Sequence, residues 1–197
     1  RDCRSRFKKD IRVVMKFRKV LFLFSVFLIY PFSVFASISI TEIMYDPNGT
    51  DTGREWVEIY NNGISIDVSS WKFFEGGTNH SLLISQGDSN IGNGGYAIIA
   101  DNPAKFLIDF PNYSGTIFDS SFSINNTGQE LIIKDGSLNI IDSITYSSSS
   151  GANNDGNSLQ KNSSGILESL PPTPGNGALG VENSNPPPSA TDSHWTV

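Results

Sequence analysis

Five carboxylates stand close together between residues 42 and 58 and form the densest group of side chains that could do chemistry: Glu42, Asp46, Asp51, Glu55 and Glu58. Two carboxyl groups that flank a sugar can act as acid and base in glycoside cleavage, so a hydrolase using Glu42, Glu55 or Glu58 is one hypothesis. That role needs a cleft and a shifted pKa, and the sequence marks neither. We therefore interpret the group as a solvated acidic edge that keeps the protein soluble and discourages edge-to-edge strand pairing.

Part of the same group has the chemistry of a calcium site. Asp46, Asn48, Asp51 and Glu55 would offer hard oxygen atoms, the ligands that Ca²⁺ prefers, from a single loop. Their spacing does not match the EF-hand loop. We keep these four residues as calcium candidates and predict no other metal, no cofactor and no catalytic residue.

Other catalytic and binding constellations are sparse. A nucleophilic triad needs a base, and the chain has two histidines, His80 beside a glycine-rich turn and His194 near the end. We interpret both as solvated loop residues, since no Gly-x-Ser-x-Gly elbow accompanies them. Trp56 and Trp71 could form a stacking platform for a carbohydrate, but packing in a core is the favoured interpretation.

Charge is distributed unevenly along the 197 residues, which suffice for one domain plus ends. Residues 1–36 hold nine Lys or Arg against two Asp, a net of +7, whereas residues 37–197 hold five against eighteen acidic residues, a net of −13. Phosphate contacts need clustered basic residues, so the acidic part is not expected to bind nucleic acid or an anionic membrane surface.

The basic segment has the organisation of an export signal. A cluster at residues 16–19 precedes an apolar run at residues 20–35, and a small residue, Ala36, closes it. We predict cleavage between Ala36 and Ser37 and a secreted or cell-surface protein. The alternative is an uncleaved membrane anchor, because the apolar run approaches the roughly 17–25 residues that span a bilayer.

The chain begins at Arg1, and Met15 stands where a signal peptide would start, so residues 1–14 are interpreted either as upstream translation or as the end of a truncated sequence. They contain the only cysteine, Cys3. The exported part then has no disulfide, and its stability must come from burial.

Residues 37–177 show the pattern of short strands separated by turns. The apolar phase slips between Ile40 and Ile43, which predicts a β-bulge, and residues 55–60 alternate, with Val57 and Ile59 expected to face the core. Residues 96–100 are apolar throughout, as in a strand buried on both faces. The spacing predicts an all-β sandwich or barrel.

One short helix is expected at residues 103–110, because Pro103 suits its first turn and Asp101 or Asn102 its cap. A last strand is expected near residues 156–161, and the prolines at 171–174 end regular structure. Residues 178–197 are rich in Pro, Ser and Asn and are interpreted as a linker or disordered tail.

The motifs together resemble the bacterial lamin-tail domain: Ile40 to Pro47, Glu55 to Asn61, Trp71, Gly94 to Tyr96, Asn126 to Gly128, Ile141 to Tyr146, Gly156 to Leu159 and Pro172 to Gly175. The resemblance covers about residues 38–177. It implies an immunoglobulin-like β-sandwich, an accessory module in exported bacterial proteins. Such domains often carry a tryptophan shortly before the closing Thr-Pro-Gly, where this chain has residues 166–170.

The expected function is therefore an exported, non-catalytic lamin-tail-type β-sandwich module for adhesion or for positioning a neighbouring domain. Its expected partner is a protein or a cell-surface polymer, and it would meet a membrane only through an uncleaved signal segment. The alternatives are a calcium- or carbohydrate-binding domain and the hydrolase described above.

Overall fold

The computed structural model describes residues 38–176, which contain thirteen β-strands and one α-helix. In chain order they are β1 (Ile38–Met44), β2 (Trp56–Asn61), β3 (Ile66–Asp67), β4 (Lys72–Glu75), β5 (Thr78–Ser81), β6 (Leu83–Gln86), β7 (Asn90–Ile91), β8 (Tyr96–Ala100), α1 (Pro103–Asp109), β9 (Thr116–Asp119), β10 (Gly128–Lys134), β11 (Ile140–Ser147), β12 (Ser158–Lys161) and β13 (Leu167–Leu170). The prediction of an all-β fold with one short helix is confirmed. Among these residues, no helix is long and apolar enough to cross a bilayer.

The strands form two main sheets with a hydrophobic core between them. The larger sheet has the order β13-β12-β1-β2-β8-β9-β6, the smaller has the order β11-β10-β4-β5, and β3 and β7 form a separate ribbon. Buried side chains from both sheets meet in one cluster, which includes Val57 and Ile59 from the larger sheet and Phe73, Leu131 and Ile133 from the smaller. This arrangement is a β-sandwich.

Both faces of the larger sheet carry buried side chains, and we call the face toward the smaller sheet the core face and the opposite one the outer face. Strand β2 shows the alternation: Val57 and Ile59 lie on the core face, as predicted, while Trp56 packs in a second buried cluster with Ile98 and Phe106. Part of the outer face is therefore buried, which the alternation alone does not reveal.

Helix α1 covers one part of the outer face as the crossover between β8 and β9, the only parallel pair among the described strands. Pro103 stands in its first turn, and the Asn102 side chain accepts a hydrogen bond from the Lys105 amide, as predicted. The indole of Trp56 meets the rings of Phe106 and Phe110 edge-on, each at 5.6 Å between centroids. Strand β8 beneath the helix is buried on both faces, again as predicted.

A β-bulge interrupts β1 where the sequence predicts it, as a register shift between Ile40 and Glu42 opposite β2. The Ile40 amide is not used by β12, whose pairing with β1 starts at Glu42, and it donates instead to Asp142 Oδ2 at 2.7 Å. Asp142 belongs to β11 of the smaller sheet, and Lys161 Nζ lies 3.6 Å from the same oxygen. The Asp142 side chain thus links the smaller sheet to the β-bulge of the larger sheet.

The chain completes the larger sheet after residue 150. Strand β12 pairs with β1, and β13 pairs with β12 along its full length from Leu167 to Leu170. The last strand therefore forms without the tryptophan often found there in lamin-tail domains.

Candidate functional site

The structure divides the five carboxylates into two groups, and most of them are not solvated. Glu42 and Glu58 are 0% exposed on the outer face, and Glu55 and Asp46 are 4% and 7% exposed at one end of the sandwich. Asp51 alone is intermediate. The expectation of a solvated acidic edge is therefore wrong, because other parts of the chain cover four of the five carboxylates.

The β-bulge is what brings Glu42 and Glu58 together. In a regular strand Glu42 would share a face with Ile40, which lies in the core. The register shift between them moves Glu42 to the outer face, directly opposite Glu58 on β2. Ser158 and Gln160 stand on the same face of β12, with Gln160 opposite Glu42. Four buried polar side chains thus share this part of the outer face.

A short segment after β13, Pro171 to Gly175, covers these polar side chains, and we call it the strap. The Thr173 amide donates to Glu42 Oε1 at 3.0 Å, and the Gly175 amide donates to Glu58 Oε2 at 2.6 Å. Gln160 Nε2 in turn donates to the Pro171 carbonyl at 2.7 Å. The strap is therefore fastened to three strands, β1, β2 and β12.

The strap sequence Pro-Pro-Thr-Pro-Gly explains this mode of attachment. Proline has no backbone N–H, so Thr173 and Gly175 provide the only two amide donors of the strap. Both are the donors that reach the buried carboxylates. Every N–H of the covered segment is therefore satisfied, as buried backbone requires.

Gly175 also has a conformation and a contact that other residues would not tolerate well. Its φ of +86° lies in the left-handed region, and a Cβ there would stand 3.1 Å from Tyr113 Cε2. Tyr113 packs against Phe106 of α1 with 5.3 Å between ring centroids. The strap and the helix thus meet at Tyr113.

Additional donors surround the carboxylate pair. Glu42 accepts from the Ser158 hydroxyl at 2.5 Å and from the Thr173 hydroxyl at 3.3 Å, and Glu58 accepts from the Thr41 hydroxyl at 2.7 Å. Within residues 38–176, no Lys, Arg or His forms an ion pair with Glu42 or Glu58. The negative charge is opposed by hydrogen bonds alone.

The pKa values of both carboxyls are raised accordingly. Burial raises the pKa of Glu42 from 4.5 to about 7, against the lowering effect of the hydrogen bonds from Ser158 and Thr173. Burial, followed by the charge of Glu42, raises the pKa of Glu58 from 4.5 to about 8. Removal from water and the proximity of a like charge both disfavour ionisation.

Glu55 lies apart from the pair, at the end of the sandwich. Its Oε2 accepts from the Ile124 amide at 3.2 Å, and burial, followed by the charges of Asp101 and Asp51, raises its pKa to about 8. The sequence-based hydrolase hypothesis grouped Glu55 with Glu42 and Glu58. The structure places it on a different surface from the other two.

The calcium candidates are brought together only in part. Asn126 Nδ2 donates to Asp51 Oδ2 at 2.9 Å and to Asp46 Oδ1 at 3.4 Å, so these two carboxylates converge. The Asn48 backbone carbonyl accepts a hydrogen bond from Arg54 Nη1 at 2.8 Å, and the Glu55 carboxylate accepts one from the Ile124 amide. Within the described part of the chain, no three His, Cys, Asp or Glu side chains are placed to hold a metal.

A cavity of about 300 Å³ lies between the strap, the helix and the loop after β1. Its wall carries the Arg54–Asp109 ion pair, with Nε and Oδ2 2.7 Å apart. Its lining is otherwise mostly apolar and consists of Met44, Pro47, Asn48, Trp56, Phe110, Gly156 and Pro172. Sequence reasoning missed this cavity because its residues come from five separate stretches.

The two histidines and two tryptophans considered in the sequence analysis have different surroundings. The interpretation of His80 as a solvated loop residue is wrong. His80 lies on β5, with Nε2 3.1 Å from Glu75 Oε1. Trp56 and Trp71 are 1% and 6% exposed, which confirms the packing interpretation. Ala36, Ser37 and His194 lie outside the described residues.

Comparison with known proteins gives one family match. The model of the Lamin Tail Domain family matches residues 32–148, which include β1 to β11 and both Glu42 and Glu58. The match ends before β12, β13 and the strap. No curated protein and no solved structure matches the chain.

Proposed function

Since the chain belongs to the lamin tail domain family, a family of structural immunoglobulin-like domains, we propose that it is an exported, non-catalytic β-sandwich module that positions a neighbouring segment or domain. Its partner would be another protein or a cell-surface polymer.

The observation that carries this proposal is the strap. It holds the last residues of the sandwich against β1, β2 and β12 through named hydrogen bonds. The polypeptide therefore leaves the module from a defined point, near Tyr113 and the end of α1. A fixed exit is what a module needs in order to set the direction of the chain that follows.

The burial of the carboxylate pair supports a non-catalytic role. Both carboxyls are 0% exposed, and their oxygens accept hydrogen bonds from this chain's own Thr41, Ser158, Thr173 and Gly175. General acid–base catalysis needs the group within hydrogen-bond reach of a substrate. A substrate could approach this pair only after the strap had been displaced.

Export and the absence of nucleic-acid binding rest on the charge distribution. The segment at residues 1–36 has the basic and apolar organisation of a signal, and the remainder has a net charge of −13. N-terminal sequencing of the protein secreted by its host tests the export proposal. Ser37 as the first residue supports it, and a chain that starts at Arg1 or Met15 contradicts it.

A distance measurement tests the positioning role directly. In a Cys3→Ser background, spin labels attached through Asn139→Cys and Asn176→Cys would report the distance from an exposed loop to the residue just after the strap. We expect a narrow distance distribution, which Thr173→Pro broadens by removing the amide that reaches Glu42.

The matched control is Thr173→Val, which has nearly the same shape as threonine and retains the amide. It should leave the distribution narrow. A wild-type distribution as broad as that of Thr173→Pro would contradict the proposal.

A calcium- or carbohydrate-binding module is the second candidate. The convergence of Asp46 and Asp51 on Asn126 favours calcium binding, and the cavity beside Arg54 and Asp109 favours carbohydrate binding. Calorimetry with millimolar calcium and a glycan array test them. No heat, no change in Tm and no glycan signal would eliminate this candidate.

A further inference from the structure

We infer that the strap is a proton-dependent latch: one carboxyl of the Glu42–Glu58 pair holds a proton while the strap is docked, and loss of that proton releases the strap. This inference rests on the proposed positioning function and adds a condition under which positioning is lost.

The geometry requires that one of the two carboxyls carries a proton. They are directly opposed on neighbouring antiparallel strands, where Cβ atoms lie roughly 4.5–5.5 Å apart. Both are fully buried, and neither has a cationic partner among residues 38–176. Two like charges at such a distance without water cannot both persist, so one carboxyl stays protonated.

The hydrogen bonds indicate where the charge lies. Glu42 accepts from three donors other than Gln160, namely the Ser158 hydroxyl and the Thr173 amide and hydroxyl. Glu58 accepts from the Thr41 hydroxyl and the Gly175 amide. A carboxylate is stabilised by each added donor, so Glu42 is the better site for the charge and Glu58 for the proton.

A protonated Glu58 remains compatible with the docked strap. One of its oxygens still accepts from Gly175, while the O–H can donate to the Thr41 hydroxyl, which is both donor and acceptor. The Thr41 hydroxyl also lies 3.4 Å from the Glu58 backbone carbonyl, to which it can then donate.

Three tyrosines and one glutamate are the other titratable groups near the pair. Tyr60 and Tyr96 lie on β2 and β8, and Tyr113 follows α1. Burial and the charge of Glu58 raise the pKa of Tyr96 to about 12 and that of Tyr113 further, so both stay neutral at physiological pH. Glu168 on β13 is exposed and accepts from Asn162 Nδ2 at 2.6 Å.

The direction of the pH dependence follows from the raised pKa values. With the strap released, water reaches both carboxyls and their pKa values return toward 4.5. The docked state therefore binds more protons between pH 4.5 and about 8, and docking weakens as pH rises through that window. For each proton lost, the docking constant falls about tenfold per pH unit.

Amide hydrogen exchange in the full chain tests the latch. Protection factors of the Thr173 and Gly175 amides, corrected for intrinsic exchange, are measured from pH 5 to 9. We expect protection that falls by about tenfold per pH unit between pH 4.5 and about 8.

Glutamine mimics the protonated carboxyl, so Glu58→Gln should extend protection of the two amides to higher pH. The double change Glu42→Gln with Glu58→Gln should make that protection independent of pH. The control Glu130→Gln, at an exposed position of β10, should match wild type.

The outcomes separate the inference from the function on which it rests. Equal protection at every pH in the wild type, or a wild-type slope in the double variant, overturns the latch and leaves the positioning role intact. Unprotected amides already at pH 5 overturn both. If the double variant does not fold, the NMR chemical shift of the Gly175 amide in the wild type is followed as a function of pH. A titration with an apparent pKa above 6 supports the latch, and one near 4.5 overturns it.

Discussion

The outer face of the larger sheet is covered in two physically different ways. Helix α1 covers apolar side chains such as Trp56 and Ile98 with Phe106, whereas the strap covers Glu42 and Glu58 with backbone amides. The first contact depends on burial and aromatic packing and does not depend on proton binding. The second depends on a few hydrogen bonds to groups that titrate. Two coverings of one sheet can therefore differ in strength and in their response to pH.

The largest expected effect comes from removing the aromatic side chain at the centre of the helix contact. Phe106→Ala should lower the free energy of unfolding by about 3–5 kcal/mol, because a fully buried ring leaves a cavity. Ile108→Ala is the matched control on the same helix, since Ile108 is 77% exposed and its truncation should change stability by less than about 0.5 kcal/mol. Urea denaturation measures both. An equal loss in the two variants would mean that α1 does not pack as described.

The second effect is the pH dependence of stability, to which the carboxyl pair under the strap and the separate Glu55 contribute and the helix contact does not. Glu42, Glu55 and Glu58 have raised pKa values in the folded state, so the folded chain binds more protons than the unfolded chain between pH 4.5 and about 8. The free energy of unfolding should fall as pH rises through this window, by up to about 1.4 kcal/mol per pH unit for each proton released.

The pKa values of Asp67 and Asp135 are lowered by hydrogen bonds, so their contribution is lost in acid instead. Stability should therefore be greatest near pH 5. Denaturation of Phe106→Ala across the same range should give a curve parallel to wild type. A stability maximum near pH 8 in the wild type would contradict the assignment of buried carboxyls.

The third effect tests the backbone conformation and the packing of Gly175 in the strap. Gly175→Ala places a side chain at a φ of +86°, which costs roughly 1–2 kcal/mol, and adds a close contact with Tyr113. Gly77→Ala is the matched control, because Gly77 has a φ of +87° and open space around it. Denaturation of both should show the larger loss at Gly175, and only Gly175→Ala should lower the protection of the Thr173 amide. Equal losses would mean that the strap does not press on Tyr113.

The smallest effect concerns one hydroxyl. Thr173→Val keeps the amide bond to Glu42 and removes a hydroxyl placed 3.3 Å from both Glu42 Oε2 and Gln160 Oε1. A loss of about 0.5–1.5 kcal/mol is expected, typical of a single hydrogen bond. Thermal denaturation measures it, with Thr173→Ser, which retains the hydroxyl, as the control. A loss as large as that of Thr173→Pro, which removes the amide itself, would show that the amides are not the main attachment.

Local patterns predicted most of the strands, the helix and the bulge, because each depends on neighbouring residues. Pro103 and Asn102 identify the helix start, and the phase slip after Ile40 identifies the bulge. The burial of Glu42 and Glu58 was not predicted, since it depends on residues 171–175, more than one hundred positions away. A signal did exist in the strap, where three prolines leave two amides that must find acceptors if the segment is covered.

The Asp142 bond to the Ile40 amide has a consequence for association between molecules. A bulge next to a short partner strand leaves an open backbone donor, which is where a strand from another chain can add to a sheet. Here that donor is already occupied at 2.7 Å, and the occupant brings a carboxylate paired with Lys161. An incoming strand would have to displace a charged group from its partners before it could pair. The module is thereby protected against aggregation at the point where its β1 edge would otherwise be open.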